Sequence, residues 1–307
     1  MIQTVTGTIE ASQLGICAVH EHCCIDLSHV KQDPDTRLDD RKAMVLELQR
    51  FARAGGRSII EVTNVGMGRD VLYLRELSLR TGLQIIASTG CYKDPYLPEE
   101  IKDWDREQFA EFMVKEIREG IDGTGIFPGV IGEVGSSLNE ITAREQCLLE
   151  GAGLAGMMTG LPVTTHTTLG TMALQQIELF SRIGLPMDQL IIGHQDLNQD
   201  RQAVFGVVEA GAYVAFDTIG KNNYLPDRER VAMLLDLWER GYGGQVLLSA
   251  DLTRKSHFFS NGGPGYDVVL REFVPMLNQA GFTAEQIRQM LIDNPASAFA
   301  QKEVSLT

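Results

Sequence analysis

Eight short apolar runs recur along this chain, and their order limits what it can fold into. They are "ICAVH" (16–20), "SIIEVT" (58–63), "QIIAST" (84–89), "GVIGEV" (129–134), "LPVTTH" (161–166), "LIIGH" (190–194), "AYVAF" (212–216) and "QVLLSAD" (245–251). Each has strand length and closes on polar residues or glycine. Their apolarity is continuous rather than alternating, which suits parallel strands buried on both faces. Helical patterns fill the gaps, over 38–55, 105–120, 170–183, 199–210, 227–240 and 265–280. Thr142 with Glu145, and Thr283 with Gln286, have the spacing of capping boxes that open two more helices.

No linker or break in composition interrupts the alternation. The spacing therefore predicts an α/β chain folded as one (β/α)8 TIM barrel over 1–307. A doubly wound open sheet is the competing arrangement. It would carry a glycine-rich phosphate turn after its first strand, where this chain has "HEHCC". "GMGRD" (66–70) is too short for a dinucleotide fingerprint. Gly220-Lys221 lacks the remaining elements of a P-loop.

The ends of these runs carry a second pattern. Residues i and i+2 of a strand face the same way, so His20 and His22 point together from the end of the first run. The fourth run ends at Glu133, the fifth at His166, the sixth at His194 and the eighth at Asp251. In a barrel these termini share the catalytic face. Imidazole nitrogen and carboxylate oxygen are ligands that Zn²⁺, Mn²⁺ and Co²⁺ accept. Six donors suggest two divalent metal ions. His20, His22 and Asp251 would hold one, His166 and His194 the other, and Glu133 would bridge them. A water bridging the ions would lose a proton near neutral pH and act as the nucleophile. A zinc finger built from Cys23, Cys24, His20 and His22 lacks a second pair to complete it. Cys91 has no base beside it in sequence to activate its thiol.

The formal net charge is −14, which disfavours a nucleic-acid partner. A small anionic substrate remains compatible, since local charge can oppose global charge. Five cysteines without a CxxC pair suggest a reducing compartment, and the expected location is the cytoplasm. The opening residues lack the pattern of a signal peptide, and no run of apolar residues is long enough to span a membrane. The chain is compatible with a homodimer.

In order, "AVHEHCCIDLS", "EVTNVGMGRD", "STGCYKDPYLP", "IGEVGSS", "THTT", "GHQDLN", "FDTIGKNNYLPD", "LSADLTRKSHFFSNGGPGYD" and "DNPASAF" resemble the phosphotriesterase-related family of the amidohydrolase superfamily. The subgroup they resemble most is that of the phosphotriesterase homology protein. The resemblance implies a barrel with a binuclear centre, usually zinc, held by His20, His22, His166, His194 and Asp251. It also implies that Asp251 accepts the proton of the attacking hydroxide and passes it on. Organophosphate hydrolases and most lactonases of the family bridge their metals through a carboxylated lysine. This chain has Glu133 there, as the subgroup does, so weak or absent phosphotriesterase activity is expected. The resemblance points instead to hydrolysis of an ester bond, that of a lactone and in particular a phosphorylated sugar lactone.

Tyr92, Lys221 and Arg254 follow the third, seventh and eighth runs and are candidate substrate contacts, for a phosphate above all. Lys255 is expected to face away. His257 fits a place behind the metal ligands or at the substrate, and His29 fits a polar loop. Two alternatives to the lactonase are a TatD-like metal-dependent nuclease or phosphodiesterase, and a metal-binding barrel without catalysis.

Overall fold

A computed structural model describes residues 1–303; the last four positions of the expected domain, 304–307, lie outside the described residues. The chain opens with a hairpin, β1 (Ile2–Thr4) and β2 (Gly7–Ile9). Each of the eight apolar runs then forms a strand: β3 (Cys17–Glu21), β4 (Ser58–Glu61), β5 (Gln84–Thr89), β6 (Val130–Ser136), β7 (Val163–Thr167), β8 (Leu190–Ile192), β9 (Tyr213–Phe216) and β10 (Val246–Leu248). These lie parallel in sequence order from β3 to β10, the ring of a (β/α)8 barrel. The helices between them are α1 (Ser28–Lys31), α2 (Arg41–Arg53), α3 (Val71–Thr81), α4 (Arg106–Glu119), α5 (Ala143–Thr159), α6 (Ala173–Ile183), α7 (Arg201–Glu209) and α8 (Asp227–Glu239). After β10 come α9 (Val274–Gln279), α10 (Ala284–Arg288) and α11 (Asn294–Ala298). No helix among the described residues is long and apolar enough to cross a membrane.

Both capping boxes form, at Thr142–Glu145 and Thr283–Gln286. Each satisfies amide groups that a helix start leaves without partners, an effect of about 1 kcal/mol. The sequence reading did not include α3 or the N-terminal hairpin. α3 starts at Asp70, whose side chain accepts from the Tyr73 amide, and stops at Gly82 in the left-handed region.

Two apolar layers result. Cys17, Val19, Ile60, Val62, Ile86, Val130, Ile191, Tyr213, Ala215 and Leu247 fill the barrel, joined by Ile2, Leu14 and Phe299. The hairpin covers the end where the strands begin, with the Val5 amide donating to Ile85 O at 2.9 Å. Ile59, Ile85, Ile131 and Val163 point the other way, into the layer beneath the helices.

The strict two-residue period fails at two places, and both carry candidate ligands. Between Ala18 and Glu21, β3 holds one residue more than β4 opposite it; between Ile131 and Val134, β6 holds one more than β7. Such bulges re-aim side chains next to active sites. They turn His20, His22 and Glu133 toward the mouth. At the second bulge Gly132 has φ 125°, and a Cβ there would lie 2.1 Å from Thr164 O. That position requires glycine. Gly132→Ala is expected to lower unfolding free energy by roughly 1–3 kcal/mol, measured by chemical denaturation, and to weaken metal retention through Glu133.

Candidate metal centre

All six sequence-predicted donors converge at the open end of the barrel. His20, His22 and Asp251 bring one ligand atom each to within 4.8 Å of one another, and so do His20, Glu133 and His194. His166 joins the second set, with Nδ1 2.8 Å from His194 Nε2 and 3.3 Å from Glu133 Oε2. Glu133 spans both groups. Its Oε1 lies 3.4 Å from His22 Nε2, and its Oε2 lies 3.4 Å from His20 Nε2. Asp251 Oδ1 stands 3.3 Å from His22 Nε2.

Buried partners behind the imidazoles decide which nitrogen faces inward. Thr63 Oγ1 donates to Glu61 Oε1 at 2.7 Å, so its oxygen accepts from His22 Nδ1 at 2.9 Å. Thr168 Oγ1 donates to Ser136 O at 2.8 Å and therefore accepts from His166 Nε2 at 3.0 Å. Asp217 Oδ1 accepts a hydrogen bond from His194 Nδ1 at 2.7 Å, and its Oδ2 lies 3.3 Å from His20 Nδ1. With the outer nitrogens so occupied, His22 Nε2, His166 Nδ1 and His194 Nε2 point at a common centre, and His20 Nε2 faces the same space. Outer partners of this kind commonly fix metal-binding histidines. Asp217, Glu61, Thr63 and Thr168 were not among the sequence-predicted residues. A signal for the first two exists, since each is a carboxylate at or just after the end of a buried apolar run.

A divalent cation pair fits these residues on a further ground. Both ring nitrogens of His20 and Glu133 Oε2 are buried without a well-formed hydrogen bond. A buried polar atom left unpaired costs about 1–3 kcal/mol. His166 Nδ1 and His194 Nε2 face each other so closely that a proton or a cation must lie between them.

The electrostatics agree. Burial pushes the Glu133 carboxyl up, but His20, His166 and His22 outweigh it and hold its pKa well below the usual range. Burial also pushes Asp251 up, and Lys221, His22, His194 and His20 pull it well below. Burial lowers His22, yet Asp251 and Glu133 raise it to about 10. Asp217 likewise overcomes burial at His194, raising it to about 9. Burial and the neighbouring His194 lower His166 to about 4, against the pull of Glu133.

Above the centre lies a cavity of about 270 Å³ whose lining includes Tyr92, Lys221, Lys31, Lys93, Tyr96 and Thr253. Tyr92 is in this wall as expected, with its hydroxyl 3.2 Å from His166 Nδ1. Lys221 is also there, but its ammonium is bound to Asp251 Oδ2 at 2.5 Å. Arg254 is not brought into the cavity wall. Its guanidinium pairs with Asp33 at 2.6 Å and Asp35 at 3.5 Å, since both carboxylates lie on the neighbouring loop after α1. Lys255 faces away, paired with Asp39 at 2.6 Å. His257 accepts from the Thr253 amide at 3.3 Å, behind the cavity wall. His29 is exposed on α1. Lys31 and Lys93 are cavity residues that the sequence reading passed over.

Residues 1–299 match the model of the phosphotriesterase family. The chain belongs to this family. It is 41% identical to the phosphotriesterase homology protein of Escherichia coli K12, over 93% of this chain and 98% of that one. The crystal structure of that protein, with phosphate in its active site, superposes with a TM-score of 0.91 at 40% identity, covering 94% of this chain and 99% of that one. A lactonase from Listeria monocytogenes gives 0.93 at 32% identity, covering 98% and 99%. The N-acetyltaurine hydrolase of Danio rerio is 30% identical over 96% of both chains.

Two outcomes test the centre. Protons held by His22 and His194 at pH 7 must leave when cations bind, so metal affinity should rise with pH until about 9–10. Calorimetry in buffers of different ionisation enthalpy should register proton release at a stoichiometry near two metals per chain. Asp217→Ala should weaken metal affinity by roughly 10–100-fold, read by competition with a chelating dye, while leaving the circular dichroism spectrum unchanged.

Proposed function

We propose that this phosphotriesterase-family hydrolase is a two-metal enzyme that cleaves the ester bond of a lactone carrying an anionic group. The observation that supports this most is the convergence of four imidazoles and two carboxylates, with their outer atoms tied off, beneath one small cavity. Bound there, two divalent cations, Zn²⁺ foremost, would supply a water deprotonated near neutral pH and an electrophile for the carbonyl oxygen.

The chain's own residues do the rest. Glu133 turns Oε1 toward His22 and Oε2 toward both His166 and His20. Asp251 presents Oδ1 to the centre, while Lys221 holds Oδ2 and keeps the carboxylate ionised. An ionised, oriented carboxylate can take the proton of the attacking water and deliver it to the leaving alkoxide. Tyr92 lines the cavity beside His166, where its hydroxyl can donate to the substrate. The cavity is at the small end for a ligand pocket, which favours a compact substrate over a polymer.

The lactonase from Listeria monocytogenes supports the lactone. An amide is the second reading, favoured by the relatives named N-acetyltaurine hydrolase. Both carbonyl substrates would use the same centre. The glutamate at position 133 supports the expectation of weak phosphotriesterase activity.

The test is a screen of the metal-loaded protein against plain and phosphorylated sugar lactones, N-acylated small amines and a phosphotriester, with acid release monitored. Turnover of a lactone or an acyl amide is expected, with a much slower phosphotriester. Glu133→Ala should abolish it together with metal binding. Fast phosphotriester cleavage with inert carbonyl substrates would overturn the proposal.

A further inference from the structure

Lys93 has the surroundings of an anion-binding residue. It follows Tyr92 in the loop after β5 and lines the cavity. Its ammonium rests near the Tyr92 and Tyr96 rings, 5.7 and 5.9 Å from their centroids. Its hydrogen bond among the described residues goes to a backbone oxygen, Asp94 O, at 3.0 Å. An ammonium has three donors, so the others are free for the cavity or solvent.

The nearby carboxylates are all engaged elsewhere. Asp94 accepts from Thr142 Oγ1 at 2.9 Å and lies 3.8 Å from Arg144. Glu145 is tied to Ser137 Oγ, to the Ser137 amide and to the Thr142 amide. Glu133 faces the imidazoles. Partial burial lowers the ammonium's pKa against the pull of Glu145, Glu133 and Asp94, so the cation is held at a cost that a bound anion would remove.

Position makes the contact useful. β5 and β9 are four strands apart in the ring of eight, so Lys93 and Lys221 reach the cavity from opposite walls. Lys221 is bound to Asp251. The stem of Lys93 runs beside His166: a Cβ on Gly135 would meet His166 Cβ at 3.0 Å and Lys93 Cδ at 3.3 Å. A carbonyl over the donor cluster would thus have Lys93 within reach of a short substituent on the His166 side.

We propose that Lys93 is the specificity residue for an oxyanion tail on the substrate, binding a carboxylate, sulfonate or phosphate joined to the scissile carbonyl by a short linker. This deepens the hydrolase reading and rests on it. The tail's ammonium contact orients the carbonyl, and the Tyr92 and Tyr96 rings flank the ammonium. Arg254 has no part in it, because Asp33 and Asp35 hold its guanidinium.

The test uses metal-loaded wild type, Lys93→Gln and Lys93→Arg. Each meets a series of N-acylated ethylamines, and a matching series of lactones, that differ only in the far group: methyl, carboxylate, sulfonate or phosphate monoester. Both turnover and calorimetric binding are measured. Lys93→Gln should lose roughly tenfold to a hundredfold in kcat/KM on the anionic members, chiefly through KM, and about twofold or less on the methyl member. Lys93→Arg should recover most of the loss. The anion with the largest loss identifies the tail. Equal losses on neutral and anionic members would overturn the assignment and leave the hydrolase reading standing. Lys93-dependent binding without turnover of any member would overturn the hydrolase reading and leave the anion site standing.

Discussion

Barrel closure rests on the seam made by Ser249 and by Glu21, a buried carboxylate between two candidate metal ligands. Among the described residues no backbone ladder joins β3 to β10, the first and last strands of the ring. Glu21 bridges the gap, accepting from the Ala250 amide and from the Leu252 amide, each at 2.9 Å. Ser249 Oγ adds a contact to Glu21 Oε1 at 2.8 Å and accepts from the His20 amide at 3.1 Å. The two amides that Glu21 holds flank Asp251, whose φ of 51° is unusual for a residue with a side chain. Such a conformation persists where its surroundings over-determine it. Glu21 and Ser249 thus tie β3 to β10, and Glu21 holds Asp251 against His20 and His22.

The same economy runs around the rest of the mouth. His194 also has a positive φ, 56°, and Asp217 grips both its amide and its ring. The charge of Asp217 in turn acts on Asp196, which is paired with the buried Arg230 at 2.6 Å. Glu61 holds the Cys23 amide and, through Thr63, the ring of His22. The cluster therefore consists of an inner set of donors and an outer set of carboxylates and hydroxyls. The outer set orients the inner one and favours positive charge at its centre. In a low-dielectric interior this arrangement is stable only when each group is paired, which is the physical case for cations within it.

Charge at the cavity differs from charge over the chain as a whole. Against a formal net charge of −14, Lys31, Lys93 and Lys221 line one small mouth. Its two carboxylates, Glu133 and Asp251, turn toward imidazoles and Lys221. An acidic surface limits unspecific association with anions, while a cationic mouth attracts a small one.

The sequence by itself determined the barrel and singled out the six candidate donors that the fold brings together. Continuous apolar runs in regular alternation with helices leave few closed arrangements, and a polar residue ending a buried strand stands out against its neighbours. Period alone could not show how those donors are aimed. Two extra residues, one in β3 and one in β6, reset the side-chain alternation, and a bulge is set by the pairing of two strands rather than by either one. Nor could it rank the loop cations. Arg254 and Lys93 look alike in sequence, each a basic residue just past a strand. Only the folded chain brings Asp33 and Asp35 to the first and turns Asp94 and Glu145 away from the second. An ion pair across more than two hundred residues is a property of the tertiary structure, since only folding places the two charges in contact.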